Sequence, residues 1–387
     1  MNSHVPLPAH GERVPQAGEW SPGRDQAPPS SACGTFSPDA RGRRELLAAA
    51  RGERVVVDDD LVRAAGAEGM LGLLGRAATN PHRELQMKAA AVEVHGVFMT
   101  AELARIAAAF EQAKIPLLAF KGPVLSQQLY GHPGLRSFSD LDVIVAPRHA
   151  DAGEALLRTL GYRDTIRDAE RKTNRRFAGE ALFANGGNGV LVDFHTLFSN
   201  RQFPVRFSFD DVWGRRGNVL GVPAFGDADL VVLTCSHAAK HLWHKLEYLA
   251  QIAALARKEI DWNEVDRVAR EARVTRQVGL SFLLASEILG IPLPESRCVE
   301  AARPHVELVR PLVGTAHDAT GRALFRLLDR RRDALYAIAL SVFVPTGEDF
   351  SRSALPWLYR PLRLIRRLLT RGAPDSRGAR AGRSRDY

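Results

Sequence analysis

The most restrictive feature of this chain is "DLDVIV", residues 140–145, in which two aspartates stand two apart at the head of an apolar run. The period of a strand sends Asp140 and Asp142 to one face and Leu141, Val143 and Val145 to the other. One face is thereby committed to a core. The opposite face carries two like charges about 7 Å apart, which repel each other. Any fold that keeps this strand must supply something to offset that repulsion.

The flanking pattern sets the fold class. Upstream, "IPLLAF" reads as a short buried strand that ends in Lys121-Gly122-Pro123, and Pro123 suits the first turn of a short helix that stops at Gly131. Downstream, a helix is expected from about Arg148 to Leu160, then a β-rich region through "ALFANGGNGVLVDFHTLF", with Gly186-Gly187 as a turn and "VLVDFH" as a strand. Helical periodicity precedes this part, with one helix opening near Asp58 and a longer one over about 82–114, and it resumes from about Asp227. The expected class is α+β, with a mixed α/β core. The boundaries are a disordered leader over 1–40, a helical region over 41–114, an α/β domain over 115–226, a helical domain over 227–370 and a disordered Arg-rich tail over 371–387.

Charge narrows the partners. Lys and Arg number 53 against 44 acidic residues, a formal balance of +9. Ten arginines and only two aspartates, with no lysine, lie between Arg352 and Tyr387, so the tail carries +8 and the body is nearly neutral. That distribution argues against a broad nucleic-acid footprint and leaves the tail to a membrane surface, RNA or an acidic partner. The three cysteines, Cys33, Cys235 and Cys298, have no metal-ligand spacing and suit a reducing cytoplasm. No signal peptide is read at the N-terminus, and the longest apolar run, Ala334–Val344, is too short to span a bilayer.

A third carboxylate, Asp193, sits on the separate strand "LVDFH". Three carboxylates at one sheet edge are costly unless a divalent cation neutralises them, and Mg²⁺ takes carboxylates, water and phosphate oxygens. The blander reading has Asp140 at a strand end, Asp142 paired with Arg136 and Asp193 unrelated. Lys121-Gly122 is either an ordinary turn or, at the junction of strand and helix, an anion site of free backbone N–H groups. In "SHAAKHLWHKLEY", residues His237, Lys240, His241 and His244 share a face if one helix runs through them. The histidines would then hold a transition metal, meet solvent as part of a polar face, or pack with Lys240 exposed, with Trp243 and Tyr248 in the core. "LPWLYRPLRLIRRLLTR" reads either as a basic amphipathic helix able to lie on anionic membranes or as a packed helix with an arginine-rich outer face.

The stretch "LLAFKGPVLSQQLYGHPGLRSFSDLDVIV" resembles the signature of an uncharacterised bacterial nucleotidyltransferase family within the polymerase-β-like superfamily. The likeness extends over about residues 58–370 through "LVDFHTLF", "HAAKHLWHKLEYL" and "FVPTGEDF" with "LPWLYRPLRL". It implies a small nucleotidyltransferase-type mixed sheet and the transfer of NMP from an NTP to an acceptor, with release of pyrophosphate. It assigns Asp140, Asp142 and Asp193 to Mg²⁺, with Mn²⁺ as the alternative, and Asp193 also to activation of the acceptor hydroxyl. Lys121 and Gly122 would bind the triphosphate, Arg136 and Ser139 would flank it, and His237 and Lys240 would point toward the phosphates. The acceptor is open among a sugar phosphate, a peptide, a protein and an RNA end. The alternatives are γ-phosphoryl transfer at the same site and a non-catalytic nucleotide-binding protein. One departure stands out: Gln251 occupies a position where the family tends to carry an aspartate.

Overall fold

The computed structural model describes residues 40–165, 168–314 and 321–370. Residues 1–39 and 371–387, where the leader and tail are expected, lie outside these. Four helices come first: α1 (Ala40–Arg51), α2 (Asp59–Ala67), α3 (Leu71–Ala77) and α4 (Arg83–Gln112). The single helix expected from Asp58 is thus two. Asp58 caps α2 by accepting from the Leu61 N–H at 2.9 Å, and the chain then turns at Gly69 with φ of +72°. A side chain at Gly69 would also meet Glu247, with a Cβ only 2.4 Å from its Oε2, so backbone conformation and packing both favour glycine at this break.

The middle of the chain forms one seven-stranded sheet, in the order β3-β4-β5-β2-β1-β7-β6. Its strands are β1 (Leu117–Phe120), β2 (Asp140–Val145), β3 (Tyr162–Asp164), β4 (Glu180–Asn185), β5 (Leu191–His195), β6 (Gly217–Val219) and β7 (Val222–Ala224). Helices α5 (Gly122–Tyr130), α6 (Ala150–Thr159), α7 (Asp168–Phe177) and α8 (Phe209–Gly214) connect them. Pairing is parallel for β2–β5 and β1–β7 and antiparallel elsewhere. The mixed α+β core with flanking helices agrees with the class expected from the sequence. The short β3 and the β6–β7 hairpin, tucked around Leu220-Gly221 at positive φ, were not anticipated, because three-residue strands carry too little alternation to register.

The two faces of β2 go where the alternation sends them. Leu141, Val143 and Val145 are fully buried with Val192 and Phe194 of β5 and with Met99, Leu103, Ile106 and Phe110 of α4. Asp140 and Asp142 face the other way.

That second face meets a helical layer of α9 (Asp227–Lys240), α10 (Leu246–Leu255), α11 (Trp262–Ala272), α12 (Thr275–Leu289) and α13 (Arg297–Ala302). One apolar core runs from Leu46 of α1 through Phe120 and Ile144 of the sheet to Leu284 of α12 and Ala337. The chain closes with α14 (Val306–Val309), α15 (Arg322–Leu327), α16 (Arg331–Phe343), α17 (Gly347–Arg352) and α18 (Pro356–Thr370). None of the described helices is long and apolar enough to cross a membrane.

The packing of α12 on α13 depends on a bare backbone at Gly279, where a Cβ would come 2.0 Å from the Cys298 carbonyl oxygen. Gly279→Ala is therefore expected to destabilise the protein by roughly 1–3 kcal/mol, the usual range for overpacking, and urea unfolding measures it.

Candidate active site

Register brings the carboxylates together. Parallel pairing of β2 with β5 sets Asp142 opposite Asp193 and Ile144 opposite His195, while antiparallel pairing sets Phe120 of β1 opposite Asp142. Asp193 and His195, two apart, share the aspartate face of the sheet. On the far side of β5, Glu180 of β4 stands opposite His195. The reading in which Asp193 is unrelated to the aspartate pair does not hold.

The protein's own cations offset much of the repulsion. Lys121 Nζ donates to Asp142 Oδ1 at 2.7 Å. His195 Nε2 lies 3.2 Å from the same oxygen and 3.0 Å from Asp193 Oδ2. Burial works against a charged Asp142, yet Lys121 and His195 outweigh it and hold its pKa at about 2. Burial likewise opposes a charged His195, but Asp193 and Asp142 raise it to about 9. The remaining cost falls on Asp140, which burial and then the Asp142 carboxylate push up to about 6. Asp142 does not pair with Arg136, whose Nε lies 2.6 Å from Glu247 of α10.

Lys121 has an unusual backbone, with φ of +55° and ψ of −153°, and Gly122 follows at φ of +46°. The Lys121 conformation belongs almost to glycine alone and costs on the order of 1–3 kcal/mol in any other residue. Its ion pair with Asp142 accounts for a lysine here: the strained turn aims the ammonium across β2. The same turn starts α5 with Gly122 and Pro123 in its first positions and no side-chain cap, which leaves its first N–H groups without a side-chain acceptor.

A cleft of about 230 Å³ opens over this face, lined among others by Lys121, Arg136, Asp193, His195, His237 and Lys240. Asp142 lies behind Lys121 and His195 and does not line it. Ser139 is exposed just before β2, and neither it, Asp140 nor Gly122 lines the cleft.

The helix expected through "SHAAKHLWHKLEY" breaks. α9 ends at Lys240, Leu242 and Trp243 take positive φ, and α10 begins at Leu246. His237 and Lys240 remain on α9, while His241 and His244 fold back so that both rings pack on Tyr248. Among the described residues these histidines do not form a group with metal-binding spacing. Burial, Lys121 and His241 hold the His237 imidazole well below its usual pKa, so it faces the cleft neutral. Trp243 is fully buried and donates through Nε1 to Ser281 Oγ at 3.1 Å, and Tyr248 is buried as well.

The group of described residues with metal-binding spacing comprises Asp142, Asp193 and His195, with one donor atom from each lying within 4.8 Å of the others. The two carboxylates suit a hard divalent ion, whereas His195, held cationic by those same carboxylates, would ligate only after giving up its proton. Sequence reasoning did not nominate His195, Glu180 or Glu247. The first had a visible signal, because it follows Asp193 at strand spacing. The other two depend on strand pairing and on the α9–α10 turn.

A family model described as "Uncharacterised nucleotidyltransferase" matches residues 59–290, well over half of the chain. The chain belongs to this nucleotidyltransferase family. The match runs from the start of α2 to the glycine that ends α12, and so contains the sheet, the cleft and α9–α10. "FVPTGEDF" and "LPWLYRPLRL", read as the family's C-terminal close, fall outside it. A comparison with curated proteins gives no match.

Within this nucleotidyltransferase the departure at Gln251 has a physical explanation. Gln251 Nε2 donates to Glu247 Oε1 at 3.0 Å, and that same oxygen faces Arg136. The carboxylate beside Arg136 is that of Glu247, one helical turn before Gln251, and the Gln251 amide supports it.

Proposed function

We propose that this protein is a cytoplasmic, metal-dependent nucleotidyltransferase that moves NMP from an NTP to a hydroxyl acceptor. One observation supports the reading: Asp142, Asp193 and His195 converge beside the strained Lys121-Gly122 turn, with Asp193 and His195 lining a cleft shared with Arg136 and Lys240 and Asp142 directly behind it. Asp142 and Asp193, with Asp140 one strand period away, would hold Mg²⁺ or Mn²⁺, which when bound neutralises the triphosphate and the charge developing at its α-phosphorus. The N–H groups opening α5 and the Lys121 ammonium bind phosphate oxygens. Arg136, fixed by Glu247, and Lys240 add positive charge along the cleft, with Ser139 at its outer edge. Neutral His237 donates or accepts a hydrogen bond without adding charge. Asp193 accepts the acceptor's hydroxyl proton and so lowers the cost of making a nucleophile.

The protein and its Asp140→Asn variant, incubated with Mg²⁺, a cell extract and NTPs labelled at the α- or γ-phosphate, test this. Transfer of α-label that depends on Asp140 is the expected result. Transfer of γ-label alone would replace the reading with a kinase, and no transfer despite NTP binding would favour a binding protein.

A further inference from the structure

The family match ends at Gly290, and the helices beyond it carry a surface that nucleotidyl transfer does not use. α18 turns Arg360 and Arg363 inward. Arg360 donates through Nη2 to the Ser341 carbonyl of α16 at 2.9 Å, and Arg363 Nε lies 3.1 Å from Oδ1 of the fully buried Asp349. Arg363 also pairs with Glu348. The opposite face is apolar and open: Leu355, Leu358, Leu362 and Ile365 recur at intervals of three and four and are 53–64% exposed. α16 packs on α18 and exposes Leu335, Tyr336 and Phe343. A helix on a protein surface ordinarily shows the reverse polarity, and a contiguous apolar patch marks an interaction surface.

We propose that this face docks on an anionic lipid bilayer. Charge and chemistry select that occupant. Exposed Arg331 and Arg332 lie on α16 and exposed Arg366 on α18, and the sequence from Arg371 onward adds five arginines against two aspartates. A bilayer surface offers hydrocarbon for the leucines and negative headgroups for the arginines. Tyr336 of α16 and Trp357 of α18 are half-exposed, a disposition in which aromatics serve at membrane interfaces. A second copy of the chain would bring the same arginines face to face. α18 is about 22 Å long at 1.5 Å per residue, which suits a helix lying in the interface plane rather than across it. The Trp357 ring packs edge-on against Phe177, tying the docking helix to α7 of the catalytic half.

Co-sedimentation of the full chain with vesicles of phosphatidylcholine alone, or mixed equally with phosphatidylglycerol, tests the assignment. Pelleting with the mixed vesicles only, weakened by salt, is expected. The triple variant Leu358→Ser, Leu362→Ser, Ile365→Ser should lower that binding at least about tenfold with an unchanged melting curve, since all three side chains are exposed. Failure to pellet with the anionic vesicles would overturn the proposal. So would undiminished binding by the triple variant, which would assign the attraction to arginines alone. A wild-type dimer that the triple variant converts to monomer would assign the patch to self-association instead. None of these results depends on transferase activity.

Discussion

Asp142→Asn is expected to lower transfer of α-label on the order of 10³-fold. It should lower stability as well, because Lys121 and His195 lose a buried counter-charge, so the melting curve is recorded beside the rate. Asparagine keeps the size of the side chain, and its carbonyl oxygen still accepts from Lys121 Nζ, which now donates at 2.7 Å. What is lost is the charge that sits between Lys121, His195 and Asp193. A measurement independent of turnover accompanies the rate. Titration with Mn²⁺, followed by electron paramagnetic resonance, should show affinity reduced at least about tenfold. Wild-type Mn²⁺ affinity in the variant would remove Asp142 from the metal site, whatever the activity.

The second large effect concerns stability. Arg136 and Glu247 are both largely withdrawn from solvent, so breaking the pair strands a charge. Glu247→Leu should destabilise the protein by roughly 3–5 kcal/mol, and Arg136→Met by a similar amount. The double variant should cost less than the two singles together, and urea unfolding of all four proteins gives the coupling. Gln251 extends the test. Gln251→Asp alone puts a second carboxylate beside Glu247 and should destabilise. Combined with Glu247→Gln it restores one carboxylate and one amide next to Arg136, and should recover much of the loss. If Gln251→Asp is harmless by itself, the link from Gln251 through Glu247 to Arg136 is wrong.

Part of the candidate site is legible in the sequence because strand period and turn chemistry are local. Asp140, Asp142 and the Lys121-Gly122 turn fall within a stretch whose alternation and glycine placement leave few options. Asp193 was legible only as a residue type on a strand, since its register against Asp142 is a long-range fact. The His237 helix was misread in extent because nothing at Leu242-Trp243 advertises a left-handed turn; burial of the indole and its bond to Ser281 impose one. Glu247 was invisible for the same reason, because it reaches Arg136 only after that turn. The inward arginines of α18 reverse the blander expectation of an arginine-rich outer face. Buried Asp349 draws them in, and periodicity alone does not say which face of an amphipathic helix the body will take.

The parallel pairing of β2 with β5 also sets an order of assembly. β1 and β2 are antiparallel near neighbours in sequence, and the Lys121–Asp142 pair spans only 21 positions, so it can close early. Asp193 and His195 must wait for a crossover through α6, β3, α7 and β4, and His195 stands 53 positions from Asp142. Closing longer loops costs more entropy before any contact repays it, so these pairings come later. Glu247, from beyond the α9–α10 turn, comes later still. During synthesis the ribosome therefore releases Arg136 long before its counter-charge exists. A chain caught before α10 docks would carry the Arg136 charge without its Glu247 partner, beside a candidate site that is not yet assembled.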